Sequence, residues 1–163
     1  MAKRLPVEFL EGIGLSDFTY VGRPAVRIPY VDVDGVEVAV RFRIGLVKGE
    51  RGDDRFRWRK GSKPLLYGLW RLSEARAKGY VLLVEGESDC HTLWFHGYPA
   101  VGLPGAGLWR EQRDAVHLDG ISVIYVVIEP DRGGESVLGW LERSPIRERV
   151  RLVSLPEAGS EAA

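Results

Sequence analysis

Two apolar segments of the chain each end on a glutamate and are followed within a few residues by glycine. Residues 80–85 read as a strand that ends on Glu85, turns at Gly86 and opens a helix at residues 88–89. Residues 121–129 read as a second strand, which ends on Glu129 and continues into Pro-Asp-Arg-Gly-Gly. Open α/β sheets bind their ligands beyond the carboxyl ends of their strands. The pattern therefore predicts four carboxylates at one sheet edge: Glu85, Asp89, Glu129 and Asp131.

Four such carboxylates suggest a metal site. Carboxylates crowded into a water-accessible cleft repel one another unless a hard divalent cation lies between them, and Mg²⁺ is usually held by one or two of them together with substrate phosphates. The chemistry indicated is metal-dependent phosphoryl transfer. In the alternative interpretation these acids only cap the following helices, a role that Ser88 or Asp89 would serve. The repetition of the pattern, each time with a glycine that lets backbone approach a ligand, favours the metal site.

Composition limits the remaining possibilities. The 163 residues, of which 45% are hydrophobic, suffice for one well-buried core or two small subdomains. No stretch approaches the roughly 18 apolar residues of a membrane helix, so no membrane partner is expected. The first residues lack the apolar segment of a signal peptide, which makes a cytoplasmic location the expectation. One cysteine and three histidines exclude an internal disulfide and a zinc site built from this chain alone.

The formal net charge of zero conceals an uneven distribution. Residues 1–79 contain 16 Lys and Arg against 10 Asp and Glu, a net charge of +6, whereas residues 80–163 contain 7 against 13, a net charge of −6. This division predicts a basic subdomain over residues 1–79 that binds a polyanion and an acidic domain over residues 80–156 that holds cations. Residues 157–163 are predicted to form a disordered tail.

The basic half begins with a predicted antiparallel hairpin. Residues 25–32 and 36–44 read as strands, and Asp-Val-Asp-Gly at 32–35 has the composition of a tight turn. Residues 8–22 read as a short helix or loop. Strict alternation along the second strand predicts that its apolar residues share one face: Val36, Val38, Val40, Phe42 and Ile44. Glu37, Arg41 and Arg43 would then line the other face, as a basic surface.

Residues 55–63 form the most basic stretch of the chain. Arg55, Arg57 and Arg59 alternate with Phe56 and Trp58, so an extended conformation predicts one cationic and one aromatic face. The stretch could be a solvated edge strand protected by charge. The alternative, which the absence of any acid between Arg55 and Lys63 favours, is a groove that follows phosphates and offers an aromatic platform for bases.

After Gly79 the pattern alternates between strand and helix. Strands are predicted at residues 80–85, 99–103, 121–129 and 149–155, with helices at about 88–96, 109–117 and 134–143 between them, and a further helix at 67–78 precedes them. Continuous apolar strands separated by short helices predict a mostly parallel four-stranded sheet covered on both sides. Cys90 and His91, next to each other on a helix, point in different directions, which favours packing over a thiol nucleophile.

These motifs resemble the Toprim domain, which is shared by DnaG-like primases, type IA and type II topoisomerases, OLD-family nucleases and RNA-maturation nucleases. The similarity rests on Glu85-Gly-x-x-Asp89 and on the acidic-x-Asp-x-x-Gly pattern at 129–134. The basic first half resembles the primases in particular, through Arg27-Ile-Pro-Tyr, through Asp34-Gly35 with Arg41, and through Lys60-Gly-Ser-Lys-Pro-Leu-Leu-Tyr-Gly-Leu69. The resemblance spans about residues 20–155. It implies a Toprim-type α/β fold preceded by a small basic α+β subdomain with an antiparallel hairpin.

The resemblance also implies roles for individual residues. Glu85 would organise metal or act as acid and base, Asp89 would close the first motif, and Glu129 with Asp131 would bind Mg²⁺ or Mn²⁺, with two ions in all. Glu129 stands where the family usually has Asp, one methylene shorter. The template and nucleotide would be held by basic residues of the first half: Arg27, Arg41, Arg43, Arg55, Arg57, Lys60 and Lys63. Gly105 and Gly107 lie in a loop where backbone would approach substrate.

The function implied is that of a primase catalytic core. It would synthesise short RNA primers from nucleoside triphosphates on single-stranded DNA, with a replicative helicase as a further partner. The sequence would then be either a reduced primase or the catalytic fragment of a longer protein. Two other functions stay open: a Toprim nuclease that cleaves DNA or RNA, and a catalytically weak DNA-binding replication module.

Overall fold

The computed structural model of the chain describes residues 4–47 and 54–154. The chain divides into two compact units, Met1–Pro64 and Leu65–Ala163. The strands of the described residues are β1 (Ser16–Tyr20), β2 (Arg23–Val31), β3 (Glu37–Arg43), β4 (Phe56–Trp58), β5 (Tyr80–Glu85), β6 (Ala100–Leu103), β7 (Val123–Ile128) and β8 (Val150–Ser154). The α-helices are α1 (Val7–Gly12), α2 (Leu72–Lys78), α3 (Glu87–Phe95), α4 (Glu111–Asp114) and α5 (Arg132–Leu141).

The first unit is built on an antiparallel sheet in the order β1-β2-β3-β4. The predicted hairpin of β2 and β3 is present, and its turn is closed by hydrogen bonds from the Asp32 N–H to the Val36 carbonyl and from the Gly35 N–H to the Asp32 carbonyl. Strand β1 lies in a segment for which the sequence predicted only a helix or loop. The turn between β1 and β2 places Val21 and Gly22 at φ 48° and 74°, a conformation that a β-branched residue rarely adopts.

The predicted alternation along β3 is correct for only part of the strand. Val40 and Phe42 are buried on one face and Arg41 and Arg43 lie on the other, but Val38 is 43% exposed. The cause is a register shift between β2 and β3, where Tyr30 pairs with Ala39 but Val31 pairs with Glu37. Val38 is the extra residue of this irregularity, so the strict two-residue period fails there. Val36, in the turn, is also exposed.

The second unit contains the parallel four-stranded sheet that the sequence predicted, in the order β6-β5-β7-β8. All three strand pairings are parallel. With the antiparallel sheet of the first unit, this confirms the α/β fold class of Toprim type. The helix predicted at about 109–117 is shorter in the structure, where α4 spans Glu111–Asp114 and residues 115–118 form a 3₁₀ turn.

One face of the parallel sheet carries the core of this unit. Val81, Leu83, Ile124 and Val126 point into it. The segment before β5 packs into the same core with Leu66, Leu69, Leu72 and Ala75. The burial of these residues explains why the unit begins at Leu65 and not near Gly79, where the charge distribution placed the boundary.

The opposite face is covered less completely than the sequence predicted. Helix α3 packs there, since a Cβ built on Gly102 of β6 would lie 3.1 Å from Cys90 Sγ. Tyr125 of β7 is on the same face and is 37% exposed. Among the described residues no helix is both long and apolar enough to cross a membrane. The predicted tail at 157–163 lies outside the described residues.

Candidate metal centre and basic surface

Glu85 stands at the carboxyl end of β5, where the chain turns sharply into α3. The turn is made by Gly86 at φ 88° and ψ 166°, a backbone region that is essentially open to glycine alone. Gly102, on the neighbouring strand, allows this turn to come close, because a Cβ there would lie 3.0 Å from the Gly86 carbonyl oxygen. Two glycines therefore fix the position from which the Glu85 side chain leaves the sheet.

Glu129 and Asp131 follow the neighbouring strand β7. Asp131 is the N-cap of α5, and its Oδ1 accepts hydrogen bonds from the N–H groups of Gly133 at 2.8 Å and Gly134 at 3.1 Å. The cap holds the Asp131 carboxylate in one orientation and leaves Oδ2 outside these bonds. A Cβ on Gly134 would lie 2.0 Å from the Glu129 carbonyl oxygen. The helix can therefore begin this close to Glu129 only with glycine at that position.

The structure brings three of the four predicted carboxylates together. One oxygen each of Glu85, Glu129 and Asp131 lies within 4.8 Å of the others. Burial is the largest cause of a raised pKa at Glu85, and the charges of Glu129, Asp131 and Asp89 follow in that order; together they raise the pKa from its ordinary 4.5 to about 7. Asp89, in the first turn of α3, thus acts on Glu85 through its charge and is not one of the three grouped residues.

These residues fit a divalent cation. Glu85 Oε1 is a buried oxygen that accepts no hydrogen bond, and such an atom is costly unless a cation or a donor compensates it. Oxygen ligands from carboxylates are those that Mg²⁺ prefers. Gly133 keeps the space beside them open, because a Cβ there would lie 2.6 Å from Glu85 Oε2 and 3.0 Å from Asp131 Oδ1. Glycine at position 133, which has no side chain, therefore leaves the most room for a bound ion.

The predicted glycine loop is held against α5. Trp109, which ends the loop, stacks on Trp140 of α5 with ring centroids 4.4 Å apart and planes 8° from parallel. The Trp140 Nε1–H donates to the Ala106 carbonyl at 3.1 Å. Gly107 comes close to the same helix, since a Cβ there would lie 3.5 Å from Ser136 Oγ. Gly105 and Gly107 thus belong to a segment fixed to the helix that Asp131 caps.

In the first unit, the predicted basic residues have varied surroundings. Arg27 donates to Glu37 at 2.6 Å, so that its charge is paired, and Arg59 donates to the same carboxylate at 3.2 Å. Arg57 donates to the backbone carbonyls of residues 54 and 56. Lys60 and Lys63 are exposed. The set therefore divides into arginines held by neighbouring groups and lysines open to solvent.

Three further arginines lie over the aromatic residues of β4. The Arg41 guanidinium carbon is 4.3 Å from the Phe56 ring centroid and 5.3 Å from that of Trp58. Arg43 and Arg55 lie 5.7 Å and 5.5 Å from the Phe56 centroid. The aromatic face predicted from the sequence is thus occupied by arginines. The alternation within β4 could not reveal this, because two of them come from the neighbouring strand.

Helix α3 carries a buried polar cluster that was not predicted from the sequence. Glu87 and His91 are 3% and 5% exposed, and the fully buried Tyr67 hydroxyl lies 2.8 Å from His91 Nε2. Burial raises the pKa of Tyr67, the Cys90 and Glu87 charges raise it further, and Arg71 opposes them. The helical spacing of Glu87 and His91, four residues apart beside buried Cys90 and Trp94, was the available signal. The cluster joins α3 to the segment before β5.

The fold of the chain is that of DnaG-type primase catalytic cores. The crystal structure of the primase fragment of the bacteriophage T7 primase-helicase protein superposes with a TM-score of 0.69 at 21% identity over 91% of this chain. A DNA primase domain from Pseudomonas aeruginosa gives 0.63 at 21% identity over 92% of this chain. The DnaG primase catalytic domain bound to single-stranded DNA gives 0.64 at 19% identity over 91%.

This chain spans 60%, 51% and 52% of those three chains, in the same order. At these identities the similarity establishes the fold. Among curated proteins, the gene 57 protein of Mycobacterium phage D29 is 26% identical over 119 residues, which are 73% of this chain and 72% of that protein. No family model matches the chain.

Proposed function

We propose that the chain is the catalytic core of a DNA primase, which joins ribonucleotides into short primers on single-stranded DNA. The observation that carries the proposal is the convergence of Glu85, Glu129 and Asp131 within 4.8 Å at the carboxyl edge of a parallel sheet in a chain with the primase core fold. Open α/β sheets place their reacting groups at this edge.

In the proposed reaction the 3′ hydroxyl of the growing primer attacks the α-phosphate of an incoming triphosphate, and pyrophosphate leaves. Glu85, Glu129 and Asp131 would hold Mg²⁺ or Mn²⁺, which when bound neutralises charge on the attacking and leaving oxygens. Asp131 is oriented by its two backbone N–H partners, so its carboxylate is fixed before substrate arrives. Asp89 adds negative charge near Glu85 and would strengthen cation binding without being a ligand.

The first unit is proposed to hold the template and the nucleoside triphosphate. Arg41, Arg43, Arg55, Lys60 and Lys63 would supply the charge, and the similar DnaG domain that was solved with single-stranded DNA supports single-stranded DNA as the ligand. A replicative helicase is a proposed partner, because the T7 fragment belongs to a primase-helicase protein. Binding through phosphates should weaken steeply as salt rises.

A single assay tests the function and separates it from its rivals. The protein is incubated with single-stranded DNA, labelled nucleotides and Mg²⁺ or Mn²⁺, and the products are resolved on a gel. New short RNA products would support primer synthesis, whereas shortening of labelled DNA or RNA would identify a nuclease. Salt-sensitive DNA binding without either reaction under any metal would identify a binding module. A Glu148→Gln variant, which alters an exposed carboxylate outside the cluster, serves as the control for variants that alter a carboxylate of the cluster.

A further inference from the structure

The glycine loop between β6 and α4 uses its carbonyl groups within the protein but leaves several N–H groups open. The Gly105 carbonyl accepts from the Leu108 N–H at 2.9 Å, which closes a turn, and the Ala106 carbonyl accepts from Trp140 Nε1 at 3.1 Å. In the part of the chain that the structure describes, no protein atom accepts from the N–H groups of Gly105, Ala106 or Gly107. All three residues are at least partly accessible to solvent. Three consecutive backbone donors are therefore available to a ligand.

The glycine loop starts beside Glu85. Strands β5 and β6 are parallel neighbours in which Glu85 pairs with Leu103. The Leu103 carbonyl also accepts from the Gly86 N–H at 3.1 Å. The loop leaves β6 directly after Leu103, so it begins at the sheet edge where the three carboxylates converge.

Helix α5 joins the loop to the carboxylates along one of its faces. Gly133, Ser136 and Trp140 are spaced three and four residues apart, which places them on the same face of the helix. At Gly133 this face meets Glu85, since a Cβ there would lie 2.6 Å from Oε2. Three residues later, about 4.5 Å along the helix axis, Ser136 lies beside Gly107. The loop and the carboxylates are therefore neighbours along α5.

Open N–H groups at this position suit a phosphate. Successive backbone N–H groups in a turn form concave sites for anions, and Mg²⁺ held by carboxylates usually also binds substrate phosphates. Adjacent phosphates of one triphosphate could contact the cation and the loop at the same time. The phosphates of a nucleic-acid strand are separated by sugars, so a triphosphate fits the arrangement better.

We propose that the three open N–H groups of the glycine loop bind a phosphate of the incoming nucleoside triphosphate, and that Trp140 is the positioning residue that holds them beside the carboxylates. Its Nε1–H fixes the Ala106 peptide group, and its ring, stacked 4.4 Å from that of Trp109, fixes the end of the loop. The inference deepens the proposed function, on which it rests for the identity of the ligand.

Ala106→Pro removes one of the three donors and should leave the turn intact. Ala106 is the second residue of the turn that the Gly105–Leu108 hydrogen bond closes, and neither Ala106 nor Gly107 has a positive φ. Type I turns have this character, and they favour proline at the second position. The carbonyl that binds Trp140 is retained. Ala106→Ser, which keeps the N–H and is similar in size, is the matched control.

The test measures binding of ATP and of inorganic tripolyphosphate by isothermal titration at saturating Mg²⁺. Ala106→Pro should lower both affinities by the same factor, about three- to tenfold, which is the effect of one hydrogen bond. Its affinity for oligo-dT, and for Mn²⁺ without nucleotide, should equal that of the wild-type protein, and Ala106→Ser should match the wild type throughout.

Four results would overturn the proposal. Unchanged affinity for both ATP and tripolyphosphate would show that the N–H group contacts no phosphate. A loss confined to ATP would indicate contact with the base or sugar. An equal loss with oligo-dT would assign the loop to the nucleic-acid backbone, and a loss of Mn²⁺ affinity would assign it to the metal centre alone.

Trp140→Phe tests the positioning role and guards against misfolding of Ala106→Pro. Phenylalanine keeps a ring that can stack on Trp109 but lacks the Nε1–H, so affinity for ATP should fall by a similar factor while affinity for Mn²⁺ is retained. Trp70→Phe, the same change at a ring that packs on Tyr67 and Trp94, is the control. A Trp140→Phe protein with lower thermal stability but wild-type ATP affinity would overturn the positioning role.

Primer synthesis by the wild-type protein tests the proposed function separately. Primers made by the wild type, together with unchanged ATP affinity in Ala106→Pro and Trp140→Phe, would remove only this inference. Selective loss of ATP affinity in these variants, in a protein that makes no primers, would remove only the proposed function. Wild-type protein that binds neither ATP nor tripolyphosphate would overturn the inference.

Discussion

Replacing Glu85 by glutamine should stabilise the metal-free protein above neutral pH. Burial and the neighbouring carboxylates raise the Glu85 pKa to about 7 from its ordinary 4.5. The folded state therefore retains a proton at pH values where the unfolded chain has lost it. Stability from the protonated Glu85 is fully present below about pH 4.5 and is lost as the pH rises through about 7. Glutamine does not titrate, so the variant escapes this loss.

The size of the effect follows from the size of the shift. A pKa raised from 4.5 to about 7 corresponds to at most ~3.4 kcal/mol. Because Glu85 is only partly buried, solvent screening reduces this value, and we expect about 1–2 kcal/mol at pH 8. For a chain of this size each kcal/mol corresponds to about 2–4 °C in Tm. At pH 4, where the carboxyl is protonated in both states, the two proteins should have nearly equal stability.

The assay is urea unfolding in the presence of EDTA from pH 4 to pH 8, with Glu148→Gln as the control for loss of an exposed charge. Added Mg²⁺ should reverse the order at pH 8, because the wild-type protein gains binding free energy that the variant lacks. A Glu85→Gln protein that is less stable than wild type without metal at pH 8 would contradict this expectation. It would mean that the carboxylate already has a compensating partner.

Substitutions at Gly133, Asp131 and Tyr67 test the metal centre and the buried cluster on α3 separately. Gly133→Ala should lower Mn²⁺ affinity at least tenfold, because its Cβ would crowd the carboxylates. Gly139→Ala, in the same helix but with open space around it, should leave Mn²⁺ affinity unchanged and stabilise the folded protein by about 0.5–1 kcal/mol. Isothermal titration measures the affinities, and thermal unfolding measures the stabilities. Asp131→Asn and Asp131→Ala should both abolish primer synthesis, but only the alanine variant should lose about 1 kcal/mol, since asparagine can still cap α5. Tyr67→Phe should cost about 1 kcal/mol in urea unfolding through the buried histidine that loses its partner, and an unchanged stability would show that the cluster on α3 does not hold the helix.

The order of strands and helices in the second unit could be predicted because the sequence patterns that indicate them are local. An apolar run that ends on Glu85 before a glycine predicts both the strand and the turn. Asp131, with two glycines shortly after it, indicates the start of α5. These patterns also identify the family whose fold the chain has. The carboxyl ends of parallel strands meet at one edge, so the grouping of Glu85, Glu129 and Asp131 follows from topology once the strands are recognised.

Several features could not be predicted from the sequence because they depend on contacts between elements that are distant along the chain. The irregularity that exposes Val38 depends on the register between β2 and β3, which no local pattern reveals. The stacking of Arg41 on Phe56 and Trp58 is likewise a cross-strand contact. Burial of Glu87 depends on how α3 packs against the segment before β5. Strand β1 was missed because its residues are mostly exposed and lack a clear alternation.

We propose that Glu85, Glu129 and Asp131 together bind a divalent cation, and electron paramagnetic resonance of Mn²⁺ can detect that binding in the protein itself. The wild-type protein should bind Mn²⁺, and Mg²⁺ should compete with it. Glu129→Gln and Asp131→Asn should each weaken binding at least tenfold, while Glu148→Gln should not. Undiminished Mn²⁺ binding by the Glu129→Gln and Asp131→Asn proteins, or no binding by the wild-type protein, would contradict the claim.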